Sequence, residues 1–185
     1  AKNNNPVCVT GDLGAAFMGL KVLEREKQVY QEDRAIQPSL EGYEYVVGRF
    51  LKPEVQVAVL LQLREKGVVP TSMIDISDGL SSEILHICKQ SKCGCAIYQE
   101  KIPVSREVIK TAEEFILEPL IPALNGGEDY ELLFTIPLSA FDKVKEIPGV
   151  SIIGNITDQK GKAIMMTEEG NAVTLQAQGW QAYRD

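Results

Sequence analysis

The order of strand and helix patterns in this 185-residue sequence predicts an α+β domain. Short β-branched or alternating segments are interleaved with amphipathic runs over most of the chain, and the last third closes in several short strands. The composition agrees, since 44% hydrophobic and 24% charged residues are the balance of an ordinary soluble globular protein. No apolar run approaches the roughly 20 residues that span a bilayer, and no signal-peptide pattern opens the chain, so a cytoplasmic protein without membrane contact is expected. A net charge of −7 disfavours nucleic acid, whose sequence-independent binding rests on clustered Lys and Arg. It leaves room for anionic phosphates if divalent metal supplies the positive charge.

Taken in order, residues 1–6 read as a disordered, Asn-rich leader, and 7–185 as a single domain. Val7–Thr10 is a short β-branched strand. Gly11-Asp12-Leu13-Gly14 is a turn into an apolar-periodic helix from Ala15 to Leu23, about three turns long. Such a turn can aim backbone N–H groups at an anion, although taken alone the pattern is better explained by an ordinary strand–helix turn. Residues 24–42 are polar, without a clean period until Tyr43–Val47, and read as a helix end plus a mobile loop. Pro53 suits a first helical position with Glu54 beside it. Val55, Val59 and Leu63 then form one stripe, and Gly67 stops that helix.

The next stretch, Met73–Leu85, has two acids around a serine: Asp75-Ile76-Ser77-Asp78-Gly79. An apolar lead-in and an amphipathic sequel read as strand, acidic turn and helix. Ser77 or Asp78 suits a helix cap. Equally, two carboxylates and a hydroxyl from one turn suit Mg²⁺, a hard cation that takes oxygen ligands together with substrate phosphates. Leu80, Ile84, Ile87 and Cys88 form the buried stripe of this helix, and His86 reads as a surface residue. Cys88, Cys93 and Cys95 match no usual zinc spacing, so reduced thiols are expected. Cys95–Ile102 alternates as a strand closed by Pro103. Ser105 is a candidate N-cap for a helix that buries Val108, Ala112, Phe115 and Ile116.

After a loop or short helix at Pro119–Leu124 comes Gly126-Gly127-Glu128-Asp129-Tyr130-Glu131-Leu132-Leu133-Phe134. Glycines and acids here lead into a strand with Tyr130, Leu132 and Phe134 on one face and Glu131, Leu133 and Thr135 on the other. Glycine pairs let backbone approach a ligand closely. A short helix at Leu138–Glu146, a strand at Val150–Ile156 and a hairpin of Lys162–Met166 with Ala172–Leu175 complete the chain, before Gly179-Trp180.

The D-x-S-D-G turn, followed about 50 residues later by G-G-E-D-Y-E-L-L-F, resembles the C-terminal domain of bacterial thiamine-monophosphate kinases. These kinases share a superfamily with aminoimidazole ribonucleotide synthetase and selenophosphate synthetase. The likeness runs from about Val9 to Trp180 and includes the Val-Thr-Gly-x-Leu-Gly opening and the Arg49/Pro53 region. It implies a mixed sheet flanked by helices, and in-line transfer of the ATP γ-phosphoryl group to thiamine monophosphate with several Mg²⁺ ions. Carried over residue by residue, it implies that Asp75 and Asp78 are Mg²⁺ ligands, that Ser77 contacts ATP, and that Glu128 and Trp180 contact the substrate. Two departures stand out. Asp12 replaces the family's usual Thr, and Gln181-Ala182-Tyr183 replaces Asp-His-Phe after the aromatic. Family members also carry an N-terminal domain that supplies most metal-binding aspartates and forms a homodimer. Nothing in this chain matches it, so little or no kinase activity is expected of the chain alone. The alternatives are a selenophosphate synthetase-like or hydrogenase-maturation relative, which both acidic motifs disfavour, and a binding module that kept only the fold.

Overall fold

Pro6–Thr10 is buried at all five positions, and such a strand must be covered on both faces and paired on both edges. The computed structural model, which describes residues 1–177, places it accordingly. In chain order the elements are β1 (Pro6–Thr10), α1 (Ala15–Glu32), α2 (Glu44–Leu51), α3 (Val57–Glu65), β2 (Ser72–Asp75), α4 (Leu80–Ser91), β3 (Gly94–Tyr98), α5 (Arg106–Glu114), α6 (Leu120–Asn125), β4 (Leu132–Thr135), α7 (Phe141–Val144), β5 (Val150–Thr157), β6 (Ala163–Met166) and β7 (Ala172–Thr174). The strands among the described residues form one sheet in the order β2-β4-β1-β5-β3-β6-β7. The β3–β6 pair is parallel and every other pair antiparallel, so the sheet is mixed, with helices about it.

Strand alternation divides the core. Val7 and Val9 of β1 join Leu133, Ile97 and Ile156 beneath the α4 residues Leu80, Ile84 and Ile87. Cys8 and Phe134 point the other way and pack with Val59 and Leu63 of α3 and Val144 of α7. A third cluster joins Met18 and Val22 of α1 to Val46 and Val47 of α2 and Val108 and Ala112 of α5.

Several boundaries differ from the sequence reading. Residues 1–6 are not a loose leader: Asn4 N–H donates to the Ile156 carbonyl, Ile156 N–H donates to the Asn5 carbonyl (both 2.9 Å), and the Thr71 hydroxyl donates to Asn5 Oδ1 at 2.7 Å. The Asn side chains supply the turn chemistry that holds them. Helix α1 continues to Glu32, so the long loop shrinks. Its last turns lack an apolar stripe because they lie in solvent, and pairs such as Gln28–Glu32 line that face. Pro53 precedes α3 by four residues without starting it, and Val55 is 81% exposed. Gly67 does stop α3, with Val68 N–H donating to the Leu63 carbonyl and Gly67 N–H to that of Arg64, a Schellman pattern. Ser105 caps α5 as expected, accepting from Val108 N–H, but Ile116 lies beyond its end and is 93% exposed. The Cys95 strand stops at Tyr98. Among the described residues no helix is long and apolar enough to cross a membrane.

Candidate functional site

The two acidic motifs, far apart in sequence, meet at one edge of the sheet. Strand β2 pairs with β4 so that Asp75 faces Leu132 and Met73 faces Phe134. Beyond the last ladder pair the backbones stay bonded. Ile76 N–H donates to the Glu131 carbonyl at 2.7 Å, Tyr130 N–H to that of Ile76 at 2.9 Å, and Glu128 N–H to that of Ser77 at 2.9 Å. The second loop must bend sharply to follow the first: Gly127, Glu128 and Tyr130 all adopt positive φ (70°, 62° and 52°). A Cβ on Gly127 would collide with the Ser77 carbonyl oxygen, so this glycine is required by close approach. Left-handed backbone at Glu128 and Tyr130 costs free energy that such sites commonly carry.

Asp75 is exposed at the end of β2, Ser77 and Asp78 are half-buried, and Glu128 is exposed. Neither the Asp75 nor the Asp78 carboxylate has a hydrogen-bond or ion-pair partner among the described residues. The Tyr130 hydroxyl donates to Glu128 at 3.1 Å. Hydrogen bonding to Glu128 raises the Tyr130 phenol above its usual value, with smaller contributions from the charges of Asp75 and Asp78. Thus Asp75, Ser77, Asp78 and Glu128 gather around one mouth. Beside it, Asp75 and Tyr130 border a cleft of about 350 Å³, otherwise walled by Pro53–Gln56, Leu60 and Leu132. The carboxylates are the hard oxygen donors that Mg²⁺ takes. No group of three or more acid, histidine or cysteine side chains among the described residues is placed to hold a metal ion by itself.

The expected capping role of Ser77 or Asp78 is not observed. Gly79 holds the N-cap position of α4, with φ of 110° and no side-chain cap. Instead Glu83, inside the first turn, reaches back: its Oε1 accepts from Asp78 N–H at 3.1 Å and from the Ser77 hydroxyl at 3.4 Å. The Asp78 carboxylate makes no capping bond, and the Asp78 N–H is held by a different acid.

Sequence reasoning missed a buried polar layer directly behind this mouth. Asp129, 1% exposed, accepts from Gly14 N–H at 2.8 Å and Ala16 N–H at 3.2 Å. The Gly-Asp-x-Gly turn does present N–H groups to an anion, and that anion is the chain's own carboxylate at the positive end of α1. Gly14, at φ 87°, supplies the left-handed turn that aims them. Glu131, also 1% exposed, bonds the Arg49 guanidinium at 2.7 Å and Gln56 at 3.2 Å. The Thr10 hydroxyl donates to it as well. A signal for Glu131 was present, since alternation puts it on the same face as Leu133 and Thr135, both fully buried. Glu128 and Asp129 look alike in sequence, yet one is exposed and the other enclosed.

Burial pushes the Asp129 carboxyl up to about 7, against the two backbone donors, which favour its ionised form. Its ordinary value is 3.8, so between these limits the folded state binds a proton that the unfolded state releases. The stability that Asp129 contributes therefore falls as pH rises from about 4 to about 7. In urea denaturation across that range, the stability of Asp129→Asn is expected to fall less, or rise more, with pH than that of the unmodified protein. Equal slopes would remove Asp129 as the titrating group.

The cysteines are free and buried, and His86 is exposed on α4; none joins the site. Trp180 lies outside the described residues.

No family model matches the sequence. Individual relatives do. Thiamine-monophosphate kinase of Buchnera aphidicola (from Schizaphis graminum) is 35% identical over 175 residues, which is 91% of this chain and 50% of that protein. The Escherichia coli K12 enzyme of the same name is 33% identical over 189 residues, 99% of this chain and 54% of that one. This chain thus spans about half the length of the curated relatives it matches. Among solved structures, AaThiL complexed with AMPPCP and TMP superposes with a TM-score of 0.79 at 26% identity, over 99% of this chain and 52% of that one. Escherichia coli HypE, a hydrogenase maturation protein, gives 0.71 at 17% identity, over 99% and 52%, and shows the shared fold alone.

Proposed function

We propose that this chain, a relative of the thiamine-monophosphate kinases that spans about half their length, is the C-terminal domain of such a kinase. In the complete, cytoplasmic, homodimeric enzyme it would serve transfer of the ATP γ-phosphoryl group to thiamine monophosphate, giving thiamine diphosphate and ADP. The observation that carries this reading is the hydrogen-bonded junction of the D-x-S-D-G turn with the Gly126–Phe134 segment, in a chain whose relatives bear that enzyme's name. Support for the ligands comes from a structural neighbour complexed with AMPPCP and TMP.

Phosphoryl transfer is mostly positioning and charge neutralisation, which suits the residues present. Asp75 and Asp78, whose carboxylates have no partner among the described residues, would hold Mg²⁺, and the remaining ligands would come from the other half of the enzyme. Bound there, Mg²⁺ supplies the positive charge that lets a protein of net charge −7 accept a polyphosphate. Ser77 would contact the nucleotide. Glu128, exposed and oriented by Tyr130, would face the cationic thiazolium, and Trp180 would offer an aromatic face to the same cation.

The test is to incubate the full-length protein with ATP, Mg²⁺ and thiamine monophosphate, follow thiamine diphosphate by chromatography, and titrate each ligand calorimetrically. Product formation by the full-length protein, and little or none by the 185-residue chain, is expected. Nucleotide binding without thiamine monophosphate binding would overturn the reading.

A further inference from the structure

We propose that Glu83 is a positioning residue for the acidic turn, holding the Ser77 hydroxyl and the Asp78 backbone in the geometry that metal and nucleotide require. The proposal rests on the roles given above to Asp75, Ser77 and Asp78. Glu83 is 1% exposed, although acidic side chains are almost never fully buried without a partner cation. No cation pairs with it among the described residues, and its Oε2 is buried without a hydrogen-bond partner. The carboxyl group is therefore held at a cost in desolvation. Its other oxygen makes the only side-chain hydrogen bonds to the turn among the described residues, from Asp78 N–H and Ser77 Oγ.

Helix capping alone does not account for this. Two good capping residues, Ser77 and Asp78, are adjacent to the helix start, and neither is used. Had Asp78 capped α4, its carboxylate would be occupied by backbone N–H groups. Glu83 accepts instead from the N–H of Asp78 itself, so the backbone at Asp78 is held while its carboxylate has no partner among the described residues. The arrangement resembles the outer shell of a metal site, where a hydrogen-bonded partner orients a ligand it does not replace.

Two variants of the full-length protein separate this role from stability. Glu83→Met fills the same volume and removes both acceptors, together with the unpartnered buried oxygen. Glu83→Gln keeps an acceptor oxygen for Asp78 N–H and Ser77. With thiamine monophosphate and ATP saturating, Glu83→Met is expected to raise the Mg²⁺ concentration for half-maximal rate, or lower kcat, by about 10–100-fold while its Tm stays near that of the unmodified protein. Glu83→Gln is expected to recover most of that loss. Unchanged Mg²⁺ dependence and kcat in Glu83→Met would overturn the proposal, as would a Glu83→Gln variant as impaired as Glu83→Met. Hydrogen exchange at the Asp78 amide reads the positioning without reference to activity: roughly tenfold or more faster in Glu83→Met, and near normal in Glu83→Gln. Equal exchange in all three proteins would overturn it. A full-length protein that makes no thiamine diphosphate would refute the kinase reading, and the exchange comparison would still decide the role of Glu83 in the turn.

Discussion

In the full-length protein, Asp75→Asn and Asp78→Asn are each expected to lower turnover by about 10²-fold, the scale on which one preorganised charge contact acts in catalysis, while Tm moves little. Asn keeps the size and one oxygen of Asp but removes the charge that competes for a divalent cation. Structural cost is small at both positions, because neither carboxylate has a partner among the described residues. Asp75 also stands exposed at the end of β2. Substitutions at such surface positions usually change stability by less than about 0.5 kcal/mol. Steady-state rates at several Mg²⁺ concentrations, with thermal denaturation alongside, provide the measurement. Normal turnover in both variants would end the metal assignment. A Tm loss matching the activity loss would make the motif structural.

Arg49→Met is expected to do the opposite, with its main effect on folding. Its guanidinium is the cation paired with Glu131, and their side chains are only 14% and 1% exposed. One nitrogen, Nη2, lies 2.7 Å from the Glu131 carboxylate and 3.4 Å from the carbonyls of Asp12 and Asp129. Removing it strands a buried carboxylate with Thr10 and Gln56 as its remaining donors. Breaking such a pair from one side costs about 3 kcal/mol, which in a domain of this size is a fall in Tm of roughly 10 °C. Arg49→Lys should recover only part, since an ammonium does not reproduce the planar fork. Removing both partners in Arg49→Met/Glu131→Met should restore most of the stability, because no charge is then left alone. Urea denaturation of the four proteins is the check. A loss under about 1 kcal/mol in Arg49→Met would place the pair among weak surface contacts.

What the sequence made legible was local chemistry repeated at the expected period. Strand β1, the α4 stripe, the Ser105 cap and the Gly67 stop each follow from a few adjacent residues. The two acidic motifs were also visible, because unusual residues cluster there. Less visible was anything set by distant partners. The polar end of α1 carries no apolar stripe, since nothing covers it. Pro53 has the right chemistry for a helix start, but the chain uses Pro53–Gln56 to wall a cleft instead. Glu128 and Asp129 cannot be told apart until Gly14 and Ala16 are brought to one of them. Nor does the sequence say that Glu83, five residues beyond Asp78, holds the turn in place of a residue within it.

The sheet order has a consequence for when this chain can fold. β1 sits between β4 and β5, so this strand is completed only by strands beginning at Leu132 and Val150. At ribosomal speeds of about 5–20 residues per second, its edges wait on the order of 10 s for their partners. During that interval Val7, Cys8 and Val9, all buried in the finished protein, are exposed together with unpaired backbone. Long-range closure of this kind slows folding and favours aggregation of nascent chains. Lower growth temperature or a holding chaperone should therefore raise the soluble yield of this polypeptide more than any single surface substitution would.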